Sequence, residues 1–460
     1  MDFFGRRKIL TAYDAITRDN VLTVLTDAFK AHTLNRGEIQ YLYDYYCGNQ
    51  PALRRRKKFR EDIKNCIVEN RANEIVAFKV GYLMGEPIQY VSKTDDATVA
   101  ENIRKLNDYM ASENKAAKDK ELADWSHICG TSYRMILPGR DSEEDEAPFE
   151  VYTMDPRSTF VVYRDVIGQP PIMAVTYVKR QDGTMHYSVY TEDRYYEIVD
   201  MLRIVRDEPQ VLGIPIIEYP ANNSRIGAFE VVLPLLDAIN TVDSNRVDGV
   251  EQFVQAIMLF HNVDISEADF DSLMEKGALK IKDVDPTLKA EVKYLTEELN
   301  QSQTQTLIDH LYSTVLTICG IPNRNGSAST SDTGSAVILR DGWSSAEARA
   351  KDSELMFKSS EKEFLKLVLR ICRNLRSLTL KLSNIEIHFT RRNYENIAAK
   401  SEVLIAMLNS NKIAPQLAFQ HCGMFADPEA AYLASKQYEE EYAEREVGEL
   451  TRIAGVRADV

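Results

Sequence analysis

The chain has little of what catalytic and membrane proteins usually carry. Tryptophan occurs twice in 460 residues, histidine seven times and cysteine six times. The two closest cysteines, Cys47 and Cys66, stand 19 residues apart, so there is no CxxC knuckle. Most cysteines sit in apolar helical contexts such as Leu316-Thr317-Ile318-Cys319, which reads as reduced, buried thiols in a reducing cytoplasm. There is no HExxH and no pair of histidines at ligand spacing, so no metal residue is assigned and no cofactor is expected. No apolar run approaches the roughly 18 residues of a membrane-spanning helix. The opening MDFFGRRKIL lacks the apolar stretch of a signal peptide. An excess of positive charge is missing too. Against 56 Lys and Arg stand 70 Asp and Glu, a net charge of −14. Tight duplex binding draws on Lys and Arg that neutralise phosphates. This composition therefore argues against a strong grip on DNA, but not against DNA passing close by.

What is present is a globular composition, 44% hydrophobic, in a chain long enough for two to four domains or subdomains. Short helices are expected over 18–34 and 36–47, the second stopped by Gly48-Asn49-Gln50-Pro51. The basic run RRRKKFR, 54–60, reads either as a solvated loop or as a nucleic-acid patch. The apolar spacing predicts an amphipathic helix over 65–84, and a charged helix over 97–123. From 130 to 220 period-two alternation and turns such as Gln181-Asp182-Gly183 predict a mostly antiparallel β region. Its acidic insert DSEEDE, 141–146, reads as a solvated hairpin loop or, alternatively, a cation site. After 228 the pattern is helical to about Phe260. A compact insert, 263–300, follows, with a short helix over 266–276 and strands at 278–281 and 291–294. A second long helix stops at Gly320-Ile321-Pro322, and a third covers about 345–376. A strand at 385–389 and helices near 395–409, 413–422 and 428–446 complete the chain.

Between the second and third long helices lies NRNGSASTSDTGSAVILRDGW, 323–343, with four Ser, two Thr and three Gly. Small polar loops inside ordered chains are often functional. A phosphate cradle would need GxxxxGK[ST]. Here Gly326 and Gly334 are eight apart, Ser335 replaces the lysine, and no strand precedes them. The GxSxG elbow is also absent. No catalytic residue is assigned, and the chain is not expected to be an enzyme.

Several short motifs occur in a shared order. Residues 214–253 read IPIIEYPANNSRIGAFEVVLPLLDAINTVDSNRVDGVEQF. Upstream stand YLYDYYCGNQP, 41–51, and KVGYLMGEPIQY, 79–90. Downstream stand CGIPN and TGSAVILR. Over roughly 30–400 this series resembles the portal proteins of long-tailed, siphovirus-type phages. The resemblance implies an α+β portal fold with a β-rich wing, two long stem helices, a small α/β clip and a helical crown, assembled as a ring. It maps 1–228 to the wing, 229–262 and 301–322 to the stem helices, and 263–300 to the clip. The tunnel-loop region would be 323–352, the remaining wing helix and strand 353–394, and the crown 395–460. The implied function is a channel at one capsid vertex for packaging and ejecting viral DNA. Implied partners are further copies of the chain in a dodecamer, the terminase large subunit, head-completion proteins, major capsid and scaffolding proteins, and duplex DNA, but no membrane. The implied location is the virion, and the host cytoplasm during assembly. Alternatives are another capsid or scaffold component, or a nucleic-acid-processing enzyme.

On that reading, Ser335, Arg340, Asp341, Gly342, Trp343, Arg349 and Lys351 belong to the tunnel region facing DNA. An acidic, mostly repulsive lumen would let a polyanion slide, with a few basic residues steadying it. Arg340, Arg349 and Lys351 could instead pair with Asp341, Glu347 and Asp352 on helix surfaces. Asp248, Glu251, Gln252 and Gln255 are expected at the stem lumen or interface. Glu275, Lys276, Lys280 and Lys282 are expected on the clip, where the motor docks. Gly334, Ser335 and Gly342 would supply hinges.

Overall fold

Alternating apolar positions dominate 131–220 and helical spacing dominates either side, and the computed structural model of the chain follows that division. It describes residues 5–57, 62–94, 96–139, 147–254, 257–262, 291–295, 301–323, 342–375, 378–391, 397–410, 412–425 and 428–442. The chain opens with β1 (Ile9–Thr11), α1 (Val21–Tyr46), a 3-10 turn (Pro51–Arg54) and α2 (Arg71–Leu83). Next come β2 (Gln89–Ser92), α3 (Ala97–Ser112) and α4 (Lys115–Cys129). The β region holds β3 (Thr131–Pro138), β4 (Phe149–Met154), β5 (Thr159–Arg164) and β6 (Pro171–Lys179). It continues with β7 (Met185–Thr191), β8 (Arg194–Val199), β9 (Arg203–Pro209) and β10 (Ile216–Pro220). Then follow α5 (Leu233–Val254), β11 (Ile257–His261), β12 (Glu291–Leu295), α6 (Gln301–Cys319) and α7 (Trp343–Asn374). The last elements are β13 (Ile385–His388), α8 (Ile397–Leu408), α9 (Pro415–Cys422) and a helix over 428–442, α10.

These elements form two compact units. One comprises Met1–Tyr46, Ala72–Val231 and Cys319–Val460; the other comprises Cys47–Arg71 and Val232–Ile318.

In the first unit, β1, β5, β6, β7, β8 and β9 make a sheet in that order, with β1 parallel to β5 and the other neighbours antiparallel. Alternation sets its buried face. Tyr187 and Val189 of β7 and Tyr196 and Ile198 of β8 point inward, against Val21, Val24, Leu25 and Ala28 of α1. A second sheet, β10-β3-β4, and the β13–β2 pair share a core with Phe364, Leu365, Val368 and Ile371 of α7.

Through that core runs a cluster of four buried charges. Glu361 of α7, fully buried, receives Lys115 Nζ at 2.8 Å, Arg134 Nη1 at 3.2 Å, and the hydroxyls of Tyr90 at 2.6 Å and Tyr219 at 2.7 Å. Asp119 accepts from Lys115 at 2.7 Å and from the other side of the Arg134 guanidinium. The guanidinium also lies 5.0 Å from the Phe364 ring centre and 5.2 Å from that of Tyr219. Two cations thus meet two anions, with α4, β3, β2, β10 and α7 all contributing.

Some boundaries differ from expectation for visible reasons. The charged helix over 97–123 is two helices, because Asn114 takes a left-handed conformation (φ +51°) between α3 and α4. The helix expected over 65–84 begins only at Arg71. α5 ends at Val254, and the residues expected to continue it pair as β11 with β12, Ile257 opposite Leu295. β1 and β9 carry too little apolar alternation to be foreseen; β9 is mostly exposed. The expected elements at 266–276 and 278–281, and the DSEEDE insert, lie outside the described residues. Among the cysteines, Cys129, Cys319, Cys372 and Cys422 are buried, while Cys47 is exposed.

Removing one member of the charge cluster strands the others. Glu361→Ala is expected to cost about 3–5 kcal/mol, read as a lower denaturant midpoint. Burial alone would raise the Glu361 carboxyl, but Lys115 and Arg134 outweigh it and hold it down to about 2. A depressed acid contributes stability above its unfolded value near 4.5 that is lost as pH falls toward about 2. Acid titration of wild type against Glu361→Gln checks this: the variant should lose stability less steeply across that window.

Candidate functional site

Three polar side chains lie four residues apart on one face of α5, and each accepts a backbone N–H from an extended strap in the same unit. Asn65 N–H donates to Asp248 Oδ1 at 2.7 Å, Ile67 N–H to Ser244 Oγ at 3.0 Å, and Glu69 N–H to Asn240 Oδ1 at 3.0 Å. Four helical residues advance about 6 Å and two extended residues about 6.6 Å, so the two ladders stay in step. This suits 65–70 to an extended path, because its alternate donors, Asn65, Ile67 and Glu69, are engaged by α5. Gln50 donates to Asn70 and accepts from Asn240. Asp248 is buried and also holds Arg55 at 2.9 Å and Lys57 at 2.6 Å. Burial would raise its carboxyl, but Lys57 and Asn65 more than compensate and keep it below the usual range. Glu251 accepts from Asn65 Nδ2 at 2.8 Å. Asp248 and Glu251 are therefore engaged by their own chain. Two members of the basic run 54–60, Arg55 and Lys57, are likewise fastened to α5, while Arg54 before them and Arg56 between them are exposed. On the same helix, burial and the neighbouring Glu69 push the Asp243 carboxyl up to about 6.

In the first unit, the end of the 323–343 stretch meets α7. Gly342 precedes the helix at φ +86°, a conformation that favours glycine. Trp343 stands 6.1 Å from both Phe78 and Tyr82, ring centre to ring centre, and the Tyr82 hydroxyl donates to Glu347 at 2.9 Å. Lys351 pairs with Glu347 at 3.7 Å, and Arg391 bridges Glu347 and Glu354. Arg349 is exposed and has no ion pair among the described residues. Its stem lies against Gly320 (φ +67°), where an added Cβ would come within 2.2 Å of Arg349 Cδ. Arg349 shares a cavity of about 20 Å³ with Lys79, His127 and Ser353. Burial, with Arg349 nearby, lowers the Lys79 ammonium. Burial first, and Lys79 second, push His127 down to about 4, so it is neutral. Sequence reasoning missed Lys79, because it sits within an apolar helical pattern and only the fold brings it to Arg349.

Gln255, Glu275, Lys276, Lys280, Lys282, Ser335, Arg340 and Asp341 lie outside the described residues, as does the side chain of Gln252. No cluster of metal-ligating residues occurs among the described residues. No described helix is long and apolar enough to cross a membrane.

The chain is a phage portal subunit, as its match to a family of such proteins over most of its length shows. More particularly, the chain belongs to the SPP1 Gp6-like family of phage portal proteins, whose model matches residues 27–447. It is 20% identical over 444 residues to the portal protein of Bacillus phage SPP1, covering 87% of this chain and 83% of that protein. Among solved structures it is similar to a chain in the neck of an empty GTA particle computed with C6 symmetry. The identity there is 11%, over 77% of this chain and 90% of the other, with a TM-score of 0.44. It is also similar to a chain in the virion of a native gene transfer agent particle, at 10% identity over 84% and 94%, with a TM-score of 0.47. The protein is thus a structural, non-enzymatic virion component. It serves the channel at one capsid vertex through which phage DNA is packaged and ejected, and its family forms oligomeric rings.

Asp248→Ala should free the strap and its arginines. Tryptic cleavage within 54–64 is expected to rise roughly tenfold or more, with Asp248→Asn intermediate, as read by timed proteolysis and mass spectrometry.

Proposed function

We propose that twelve copies of this chain close into a ring whose central passage conducts the duplex. The observation that carries this reading is the order of elements: α5, the β11–β12 hairpin, α6, the small polar stretch and the 32-residue α7. On this reading α5 and α6 are the stem, and the insert 263–300 is the clip. Residues 1–228 and 353–394 form the wing, and 395–460 the crown. Heterologous contacts that close give such rings. The clip, through Glu275, Lys276, Lys280 and Lys282, docks the terminase large subunit and later the head-completion proteins. Capsid and scaffolding proteins meet the outside of the ring.

Ser335, Arg340, Asp341, Gly342, Trp343, Arg349 and Lys351 compose the region that approaches DNA. Their division of labour follows from the contacts. Trp343 anchors the start of α7 on α2, and Lys351 is half-neutralised by Glu347. Among the described residues of this group, that leaves Arg349, backed by Lys79, as the basic position able to steady a phosphate. Asp248 and Glu251 hold the strap to the stem helix, so the stem passage is lined by other polar residues of α5 and α6, Gln252 and Gln255 among them. A net charge of −14 per subunit keeps the passage mostly repulsive.

Negative-stain imaging of the purified protein should show rings with a central hole. Deleting Gly334–Gly342 should leave those rings intact and abolish DNA packaging. Normal packaging by the deletant would sink the role given to this stretch.

A further inference from the structure

β13 has β2 as its one neighbour among the described residues, and the other edge of β13 opens on a groove of about 390 Å³. The register shows which groups face it. Tyr90 N–H donates to Asn107 Oδ1 at 3.2 Å, and Tyr90 C=O accepts from Asn107 Nδ2 at 2.9 Å. Tyr90 therefore makes no ladder bonds to Ile387, its opposite residue, while Lys93 N–H does bond Asn384 C=O at 3.0 Å. In an antiparallel pair the two kinds of position alternate. Ile387 thus turns both its N–H and its C=O away from β2, and Ile385 turns its C=O the same way. The Ile385 N–H is already taken by Leu382 C=O.

Lysines flank this edge. Lys93, Lys358 and Lys362 line the groove with Leu382 and one acid, Glu386. Lys358 is paired with Glu354 at 2.5 Å. Lys93 and Lys362 have no ion pair among the described residues. A bare strand edge invites another strand, and lysines beside it select against neutral or basic ones. Lys358 and Lys362 are four helical residues apart, about 6 Å, which matches the repeat of alternate side chains on an extended chain.

This chain carries a segment with the matching pattern. In DSEEDE, Asp141, Glu143 and Asp145 fall on alternate positions. We propose that in the ring the groove beside β13 takes the acidic run Asp141–Glu146 of the neighbouring copy as an added strand. Its alternate carboxylates meet Lys358 and Lys362, and its backbone meets the free groups of Ile385 and Ile387. The inference rests on the ring reading and adds to it a specific seam between wing regions.

The test is a charge swap on the full chain. Lys358→Glu with Lys362→Glu, and separately Glu143→Lys with Asp145→Lys, should each lower the ring fraction at least severalfold by native mass spectrometry at moderate salt. Combining the two sets should restore it, which a folding defect would not do. As a second reading, Lys362→Cys with Glu143→Cys, in a Cys47→Ser, Cys66→Ser background, should give an interchain disulfide ladder on oxidation. Unchanged ring fractions, no recovery in the combined variant, a disulfide confined within one chain, or no disulfide would each overturn the seam while wild-type rings uphold the portal reading. Absence of rings from the wild type would overturn both.

Discussion

The first unit is organised around a carboxylate that could not exist there alone. An isolated charge in a protein interior carries a desolvation cost of several kcal/mol, met only by good geometry on every side. Glu361 has that geometry: two cations and two phenols converge on its two oxygens. Because the partners come from α4, β3, β2 and β10, this one requirement fixes where α7 lies across the sheets. Apolar packing of Phe364, Leu365 and Val368 would tolerate a helix sliding or rotating by a fraction of a turn. The charge cluster does not, since a shift of an ångström leaves a buried ion without its partner.

A fixed α7 matters for what precedes it. The helix is held at its middle by Glu361 and at its start by Trp343 on Phe78 and Tyr82. Gly342, at φ +86°, therefore leads into a helix whose position is fixed at two points. The charge pairs that hold α7 are buried, and so are shielded from salt.

Much of this was legible in the sequence. The β region, the long helices and the motif series from 41 to 340 were readable because alternation, helical period and turn residues are local signals. What was not legible depends on distant partners. Asp248 reads as an exposed acid on an amphipathic helix; it is buried because Arg55, Lys57 and Asn65 reach it from 183 residues or more earlier in the chain. Residues 65–70 carry apolar helical spacing, but in the folded chain the N–H groups of Asn65, Ile67 and Glu69 go to α5. Ile257–His261 is apolar enough to extend a helix, and only its partner Glu291–Leu295 makes it a strand. Lys79 and Arg349 come together by folding alone, 270 positions apart.

The ladder between the strap and α5 has a consequence in time. Its acceptors lie 171 to 183 residues downstream of the donors they serve. At roughly 5–20 residues per second of synthesis, the strap waits about 10 to 40 seconds after its own translation before Asn240, Ser244 and Asp248 exist. Through that interval RRRKKFR is an untethered cationic tail on a nascent chain. The ladder can be completed only once α5 has been made, and the cluster around Glu361 only later still, once α7 has, so the strap can be fastened before the first unit of this portal subunit closes.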